Sequence, residues 1–311
     1  MSTVRARAYC SSANLGSGFD IVAVALDAYY DEVEVSLVKN GNGSVVLERV
    51  EGTFAELVDR SLNTCVAAAK ELLNYVGRRD VDVRIRLWKG IPPSAGLGGS
   101  GASAIATLKA LTSALDIELS NEEVIEIGGR AEAVVAGEAH YDNVSASLLG
   151  GLVLLLSLKP IRTVRFNIYA CFVIATPLVM MPPNKTAIMR SVLPRYVELR
   201  DVVKNSAKLA ALIAGFLTGN YRLAGYGMED YIVEPARAPH IPCYEVVKKE
   251  ALASGAYGVA ISGAGPSLIA LCEDEEVAKK VAKSIKESYS KCGVDALVKV
   301  AHTGSAAEVV E

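Results

Sequence analysis

The sequence predicts an α+β fold, and two observations carry that prediction. Segments in which apolar and charged residues alternate occur in both halves of the chain, with segments of helical spacing between them. Charge on every second position of a strand is typical of a sheet with one face in water, which favours α+β over a doubly wound parallel sheet. The 311 residues correspond to about two domains. We expect a boundary near Lys159-Pro160, with domains at 1–159 and 160–311.

The N-terminal half is expected to begin with strands. Residues 4–9 and 31–37 have the period-two pattern. Residues 44–50 follow an Asn-Gly-Asn-Gly turn, so we expect them to form a hairpin with the second strand. A helix is predicted at 61–76, and a further alternating strand at 81–88.

Later elements follow the same mixture of strands and helices. Ser120 and Glu123 have the spacing of a capping box, so a helix is expected to start there and to continue to about Gly137. The other predicted elements are a glycine-rich loop at 90–101, a helix from it to Leu115, strands at 150–158, 164–175 and 296–301, helices at 186–193, 196–217, 244–253 and 275–292, and two strands joined by a turn at 256–272.

Charge and hydropathy exclude some classes of protein. The 32 Lys and Arg against 35 Asp and Glu give a net charge of −3 with no basic stripe, so we expect no nucleic-acid partner. The longest apolar runs, 148–158 and 170–181, are shorter than the roughly 20 residues of a spanning helix. The N-terminus lacks the apolar region of a secretory signal. We therefore expect a soluble, cytoplasmic protein with no membrane partner.

The six cysteines lie far apart, with no C-x-x-C pair, which disfavours zinc and thioredoxin-type sites. Buried, reduced thiols are the simpler interpretation. The sequence contains no Gln, however, and depletion of thermolabile amides is a tendency of hyperthermophilic proteins. Intracellular disulfides occur in such organisms, so a bridge stays open as the alternative.

The glycine-rich loop is the clearest functional signal. Residues 96–101 satisfy G-x-G-x-x-G, but the strand before them is wet on one face and two prolines intervene, which disfavours a dinucleotide site. Glycines let backbone N–H groups converge, and the helix that follows directs its positive end at an anion. Three serines, Ser94, Ser100 and Ser103, add hydroxyl groups. The loop is predicted to bind phosphate; a merely flexible turn is the alternative.

Six segments resemble motifs of the GHMP kinases, and they occur along the chain in the order expected for that family. Residues 93–103 are similar to the second motif of that family, and residues 262–267 to its third. The first motif, at 12–20, resembles that of members acting on the side-chain hydroxyl of L-homoserine. The remaining matches are 140–144, Thr186 with Arg190, and 234–237. One departure is Gly99, which stands where the family usually has the first of two serines, so a phosphate or metal contact there is in doubt.

The resemblance implies the two-domain GHMP kinase fold, with a ribosomal-protein-S5-domain-2-like N-terminal domain and a ferredoxin-like C-terminal α/β sandwich. It implies transfer of a phosphoryl group from ATP to L-homoserine, assisted by Mg²⁺, in a homodimer. Mevalonate-, phosphomevalonate- or shikimate-type substrates, and a catalytically silent ligand-binding relative, are the alternatives.

The resemblance also implies roles for individual residues. ATP would be bound by Asn63, Pro93, Ser94, Ala95, Gly96, Leu97, Gly98, Gly99, Ser100, Gly101, Ala102 and Ser103, and Mg²⁺ by Ser100 and Glu132. The substrate would be bound by Asn14, Asp20, His140, Asn143, Thr186, Arg190 and Arg237, and the catalytic residues would be Asp142, Asn143 and Arg190.

Several of these side chains have ordinary structural interpretations. Glu132 could be a solvated helix residue, and the arginines could be surface ion-pair partners. Asn14 and Asp20 could serve loop geometry alone. Asn63 could be a helix-interior residue without a role, and His140 could orient a loop. For Asp142 we favour catalysis by orientation over a general base, because the resemblance places Asn143 where relatives have a catalytic aspartate.

Overall fold

The computed structural model describes residues 3–39, 41–182 and 185–310. Its strands are β1 (Thr3–Ala13), β2 (Val22–Lys39), β3 (Val45–Glu51), β4 (Val81–Trp88), β5 (Leu152–Leu158), β6 (Ile161–Phe166), β7 (Cys171–Pro177), β8 (Gly258–Ile261), β9 (Leu268–Cys272), β10 (Ala296–His302) and β11 (Glu308–Val309). Its helices are α1 (Thr64–Tyr75), α2 (Gly99–Leu115), α3 (Asn121–Ala136), α4 (Tyr141–Leu149), α5 (Lys185–Ser191), α6 (Leu199–Thr218), α7 (Tyr221–Gly227), α8 (Glu234–Arg237), α9 (Tyr244–Ala253) and α10 (Glu275–Lys291).

The strands form two sheets within these residues. The larger has the order β11-β1-β2-β4-β3, with β5 paired to the first part of β2 and β6 paired to β5. The smaller has the order β10-β7-β9-β8, and all its pairs are antiparallel. This mixture of helices and largely antiparallel sheets confirms the predicted α+β class.

The predicted hairpin at 44–50 is wrong. β3 pairs with β4 in parallel, and β4 lies between β3 and β2. The connection from β3 to β4 contains α1, which is the crossover that parallel neighbours need. The turn after β2 therefore does not set the strand pairing.

The first two strands are longer than predicted. All five residues from Val22 to Leu26 are buried, so this part of β2 has no polar face and no alternating pattern. β1 likewise continues through Ser11 and Ser12, which are fully buried and were expected in a loop. The predicted period-two signal appears only where one face of a strand meets water.

The strand predicted at 164–175 is two strands in different sheets. β6 pairs with β5 in the larger sheet, whereas β7 lies between β10 and β9 in the smaller one. The boundary predicted at 159/160 falls in the turn between β5 and β6, and it stays a prediction. The pairing of β6 favours a boundary in the segment 167–170 instead.

Most predicted helices form close to their expected positions, and the capping box of Ser120 and Glu123 is confirmed. Helix α4 carried no helical signal in the sequence. Its residues from Asp142 to Leu148 are all buried, so it presents no polar stripe. This helix carries two predicted site residues, Asp142 and Asn143, in its first turn, and it begins directly after a third, His140.

The cysteines include both disulfide-bonded and free residues. Cys243 and Cys292 form a disulfide that joins the start of α9 to the end of α10. The other four are free and buried, as the simpler interpretation expected. Among the helices that the structure describes, none combines the length and the hydropathy needed to cross a bilayer.

Candidate active site

The glycine-rich loop packs directly against the third motif. Gly96 has φ +79°, and a Cβ on it would lie 2.4 Å from the Ser262 carbonyl oxygen and 2.6 Å from that of Gly265. Ser262 also donates its hydroxyl to the Gly96 carbonyl at 2.8 Å. Only glycine fits this approach, and the contact brings two predicted motifs from opposite ends of the chain together.

The loop ends at the N-terminus of α2. Gly98, the N-cap residue, has φ +61° and no side chain to cap the helix. A Cβ there would lie 2.2 Å from Ser11 Oγ and 2.8 Å from Asn143 Oδ1. Gly98 therefore provides no side-chain acceptor for the first turn of this 17-residue helix, although the Gly101 amide donates to the Glu132 carboxylate. The uncapped N-terminus suits an anionic ligand.

Ser103 faces away from the expected phosphate site. Its hydroxyl donates to Asp31, whose carboxylate is fully buried and also pairs with Lys89. Lys89 Nζ donates in turn to the Gly99 carbonyl at 2.9 Å. This buried network fixes the first turn of α2 from behind; Asp31 and Lys89 were not singled out from the sequence. Neither residue has a distinctive signal in the sequence, since Asp31 lies within β2 and Lys89 directly follows β4.

Ser100 and Glu132, the predicted metal ligands, lie together. Glu132 is buried and hydrogen-bonds with the Ser100 hydroxyl and the His140 amide. Burial, with a contribution from the charge of Asp142, raises the pKa of Glu132 to about 8. The glutamate is thus not a solvated helix residue. A buried carboxylate next to a hydroxyl is a donor set that fits Mg²⁺, which takes few protein oxygens.

Asn63 caps a helix. Its side-chain oxygen accepts the Cys65 amide at 2.9 Å, so it is the N-cap of α1 and not a helix-interior residue. The next residue, Thr64, places its hydroxyl 2.7 Å from that of Ser100. The adenine contact predicted for Asn63 stays a prediction.

Arg190 and Arg237 lie close to one aromatic ring. Their guanidinium carbons are 5.4 Å and 5.1 Å from the centroid of Phe19. Arg190 also pairs with Asp20 at 3.0 Å and with Glu138 at 2.7 Å. The structure therefore brings both predicted carboxylate-binding residues to the loop of the first motif.

Arg237 is buried and makes no ion pair within the part of the chain that the structure describes. It donates to the Met189 and Gly263 carbonyls at 3.1 Å and 2.9 Å. Asn14 donates to the same Gly263 carbonyl and accepts the Asp20 amide. Burial, reinforced by the charge of Arg190, lowers the pKa of Arg237. A buried cation held only by carbonyl groups suits an anionic ligand.

The first turn of α4 lies beside the glycine-rich loop and close to the charges of Asp20 and Arg190. Asn143 accepts the Ser11 hydroxyl at 2.9 Å, beside Gly98 of the loop. Burial, with the charge of Asp20, raises the pKa of Asp142 to about 6. His140 is half-buried, and burial, reinforced by the charge of Arg190, lowers the pKa of its imidazole, which favours the neutral form. Its Nε2 has no partner among the described residues, which leaves one polar atom for a ligand.

Helix α5 carries the remaining predicted residues. Thr186 is half-buried in its first turn, and Arg190 lies one turn later. Lys185, which the sequence did not single out, is buried and donates to the carbonyls of Ser94 and Gly265. Nothing in the local sequence distinguishes this lysine from an exposed one.

Comparison with known proteins supports the resemblance to the GHMP kinases. The family models described as GHMP kinases N terminal domain and GHMP kinases C terminal match residues 63–151 and 209–291. A homoserine kinase from Aeropyrum pernix is 45% identical over 94% of this chain and 93% of its own. The chain belongs to the GHMP kinase family. A homoserine kinase from Pyrobaculum neutrophilum is 44% identical over 97% of this GHMP kinase and 98% of its own length.

A crystal structure of homoserine kinase from Cytophaga hutchinsonii has a TM-score of 0.91 to this GHMP kinase, with 30% identity over 100% of this chain and 98% of that one. The predicted two-domain GHMP kinase fold is therefore confirmed. The protein is a kinase, and kinases of this family use ATP as the phosphoryl donor.

Proposed function

We propose that this protein transfers the γ-phosphoryl group of ATP to the side-chain hydroxyl of L-homoserine, giving O-phospho-L-homoserine for threonine biosynthesis. The observation that carries the proposal is that two arginines lie close to Phe19 in the loop of the first motif, in a chain whose glycine-rich loop ends at a helix N-terminus. The names of the relatives from Aeropyrum and Pyrobaculum support the same substrate.

The charges of the site match an amino-acid zwitterion. Arg237 is a buried cation without an ion pair among the described residues, so it suits the α-carboxylate. Asp20 and the side-chain oxygen of Asn14 are acceptors that suit the α-ammonium. The Asp20–Arg190 pair would open to admit the two charged groups, exchanging one ion pair for two.

In this proposal the chain works mainly by positioning. The substrate oxygen attacks the γ-phosphorus, the bond from that phosphorus to the ADP oxygen breaks, and the hydroxyl proton leaves. Asn143 would orient the hydroxyl, since its side chain lies beside Gly98 at the end of the glycine-rich loop. Asp142 is adjacent: its Oδ1 accepts the Asn143 amide at 2.7 Å, and its other carboxylate oxygen would assist by taking the hydroxyl proton and passing it to solvent.

Magnesium belongs to the proposal as well. Ser100 and Glu132 would hold the ion, which when bound would neutralise charge on the phosphate oxygens. The first-turn amides of α2 would also bind those oxygens. Asp31 and Lys89 would keep that turn in place before nucleotide arrives. We also propose, from the family resemblance, that the protein is a cytoplasmic homodimer; sedimentation at micromolar concentration tests the dimer.

Other acceptors fit less well. A mevalonate- or shikimate-type substrate has a carboxylate but no ammonium group, so Asp20 and Asn14 would have no partner. A catalytically silent relative would have no need of a buried Glu132 next to Ser100. No specific observation favours either alternative.

The test is ADP release measured with L-homoserine, mevalonate and shikimate as acceptors. We expect turnover with homoserine, and none with L-2-aminobutyrate, which has the same head group without the hydroxyl. Ser100→Ala should reduce turnover strongly, whereas Ser44→Ala, an exposed serine far along the chain, should not. Turnover with mevalonate and not with homoserine would overturn the substrate assignment.

A further inference from the structure

Lys185 stands out among the buried charged side chains that the proposed reaction does not yet use. It is 5% exposed, and among the described residues it forms no ion pair with a carboxylate. Its ammonium donates instead to the carbonyls of Ser94, in the glycine-rich loop, and Gly265, in the third motif. A buried ammonium without a counter-charge is costly unless a ligand supplies one.

The two carbonyls belong to a tightly packed junction. Ser267 donates its amide to the Ala95 carbonyl at 3.1 Å, next to the close approach of Gly96 to Ser262. Lys185 adds a bond to each side of this junction from a third element, α5. Its position therefore fixes the glycine-rich loop, the third motif and the helix of Thr186 relative to one another.

We propose that Lys185 is a nucleotide-positioning residue: it fastens the glycine-rich loop to the third motif and supplies positive charge that attracts the phosphates of ATP. The inference rests on the proposed function, because it takes the loop to be the nucleotide site. This role can be distinguished from a purely structural one. If Lys185 were only structural, replacing it would affect the binding of charged and uncharged ligands equally.

The electrostatic surroundings of Lys185 support this role. The charged or titratable groups that face it are Arg237, on α8, and His140, before α4, and neither is an anion at neutral pH. Burial and the charge of Arg237 lower the pKa of Lys185 to about 7. Negative charge brought close by a nucleotide would raise that pKa again, so nucleotide binding at pH 8 would take up a proton at Lys185.

The experiment is calorimetry at pH 8 with a non-hydrolysable ATP analogue, in buffers of different ionisation enthalpy. Lys185→Met removes the ammonium at nearly constant length, and Lys185→Arg restores a cation. We expect Lys185→Met to weaken the analogue about tenfold or more and to lose the proton uptake of the wild type. Lys185→Arg should recover most of the affinity, and adenosine should bind all three proteins about equally.

Lys208 provides a matched control, because it is also buried but is paired with Glu229. Lys208→Met is expected to lower the melting temperature without changing proton uptake. The inference is overturned if Lys185→Met keeps the affinity and proton uptake of the wild type, or if it weakens adenosine as much as the analogue. Failure of wild-type protein to phosphorylate homoserine, with the Lys185 effects intact, would instead contradict only the proposed substrate.

Discussion

Gly96→Ala is the substitution whose effect the structure specifies best. Alanine would have to adopt φ near +79°, which costs a residue with a Cβ about 1–2 kcal/mol. Its methyl group would also lie 2.4 Å from the Ser262 carbonyl oxygen, about 1 Å inside ordinary contact. Overpacking of this kind typically costs about 1–3 kcal/mol.

The two costs together amount to about 2–5 kcal/mol, and both fall on the contact between the glycine-rich loop and the third motif. The lower limit alone corresponds to about 30-fold in nucleotide affinity if the strain is relieved by displacing the loop. We therefore expect Gly96→Ala to weaken the ATP analogue by at least that factor in calorimetry, while the circular dichroism spectrum is retained.

Gly77→Ala is the matched control for backbone strain. Gly77 also has positive φ, at +69°, but a Cβ there would meet nothing within 4 Å. This variant should lose about 1 kcal/mol of stability and bind nucleotide as the wild type does. Wild-type affinity in Gly96→Ala, or an equal loss in Gly77→Ala, would refute the conclusion that close approach of the two loops builds the nucleotide site.

Three further predictions concern other parts of the molecule. Arg237→Lys should raise the KM for homoserine by about tenfold to a hundredfold, because a fork of donors is replaced by a point charge; an unchanged KM contradicts its role. Since burial and Asp20 raise the pKa of Asp142 to about 6, its carboxyl is neutral below that pH; kcat/KM should fall there, and Asp142→Asn should lack this acid limb. If the limb persists, it belongs to another group. Cys243→Ser opens a disulfide of sequence separation 49, which should cost about 4 kcal/mol and about 6 °C in Tm by calorimetry. Cys292→Ser should match it, and two variants as stable as the wild type would show that the bridge contributes nothing.

Features whose residues lie close together in the sequence could be predicted from it. The glycine-rich loop is recognisable because glycines, hydroxyls and a helix start coincide within 93–103, and the structure places it at the N-terminus of α2. The capping box of α3 is similarly local, because both partners lie within one turn. Glu132 and Ser100 were paired through the resemblance, and the structure does bring them together.

Features that depend on distant parts of the chain could not be predicted. The pairing of β3 with β4 is set by the crossover through α1, not by the turn before β3. The hydrogen bond from Ser103 to Asp31 could not be predicted, because Asp31 lies 72 residues away along the chain. Lys185 has no local signal at all, since its burial arises only when two loops from opposite ends of the chain meet.

The most direct test of the central claim is a crystal structure with L-homoserine and a non-hydrolysable ATP analogue. We expect phosphates on the first-turn amides of α2, between Gly98 and Gly101, and the carboxylate of the amino acid on Arg237. Phosphate density away from that helix, or an amino-acid head group that touches neither Arg190 nor Arg237, would contradict it.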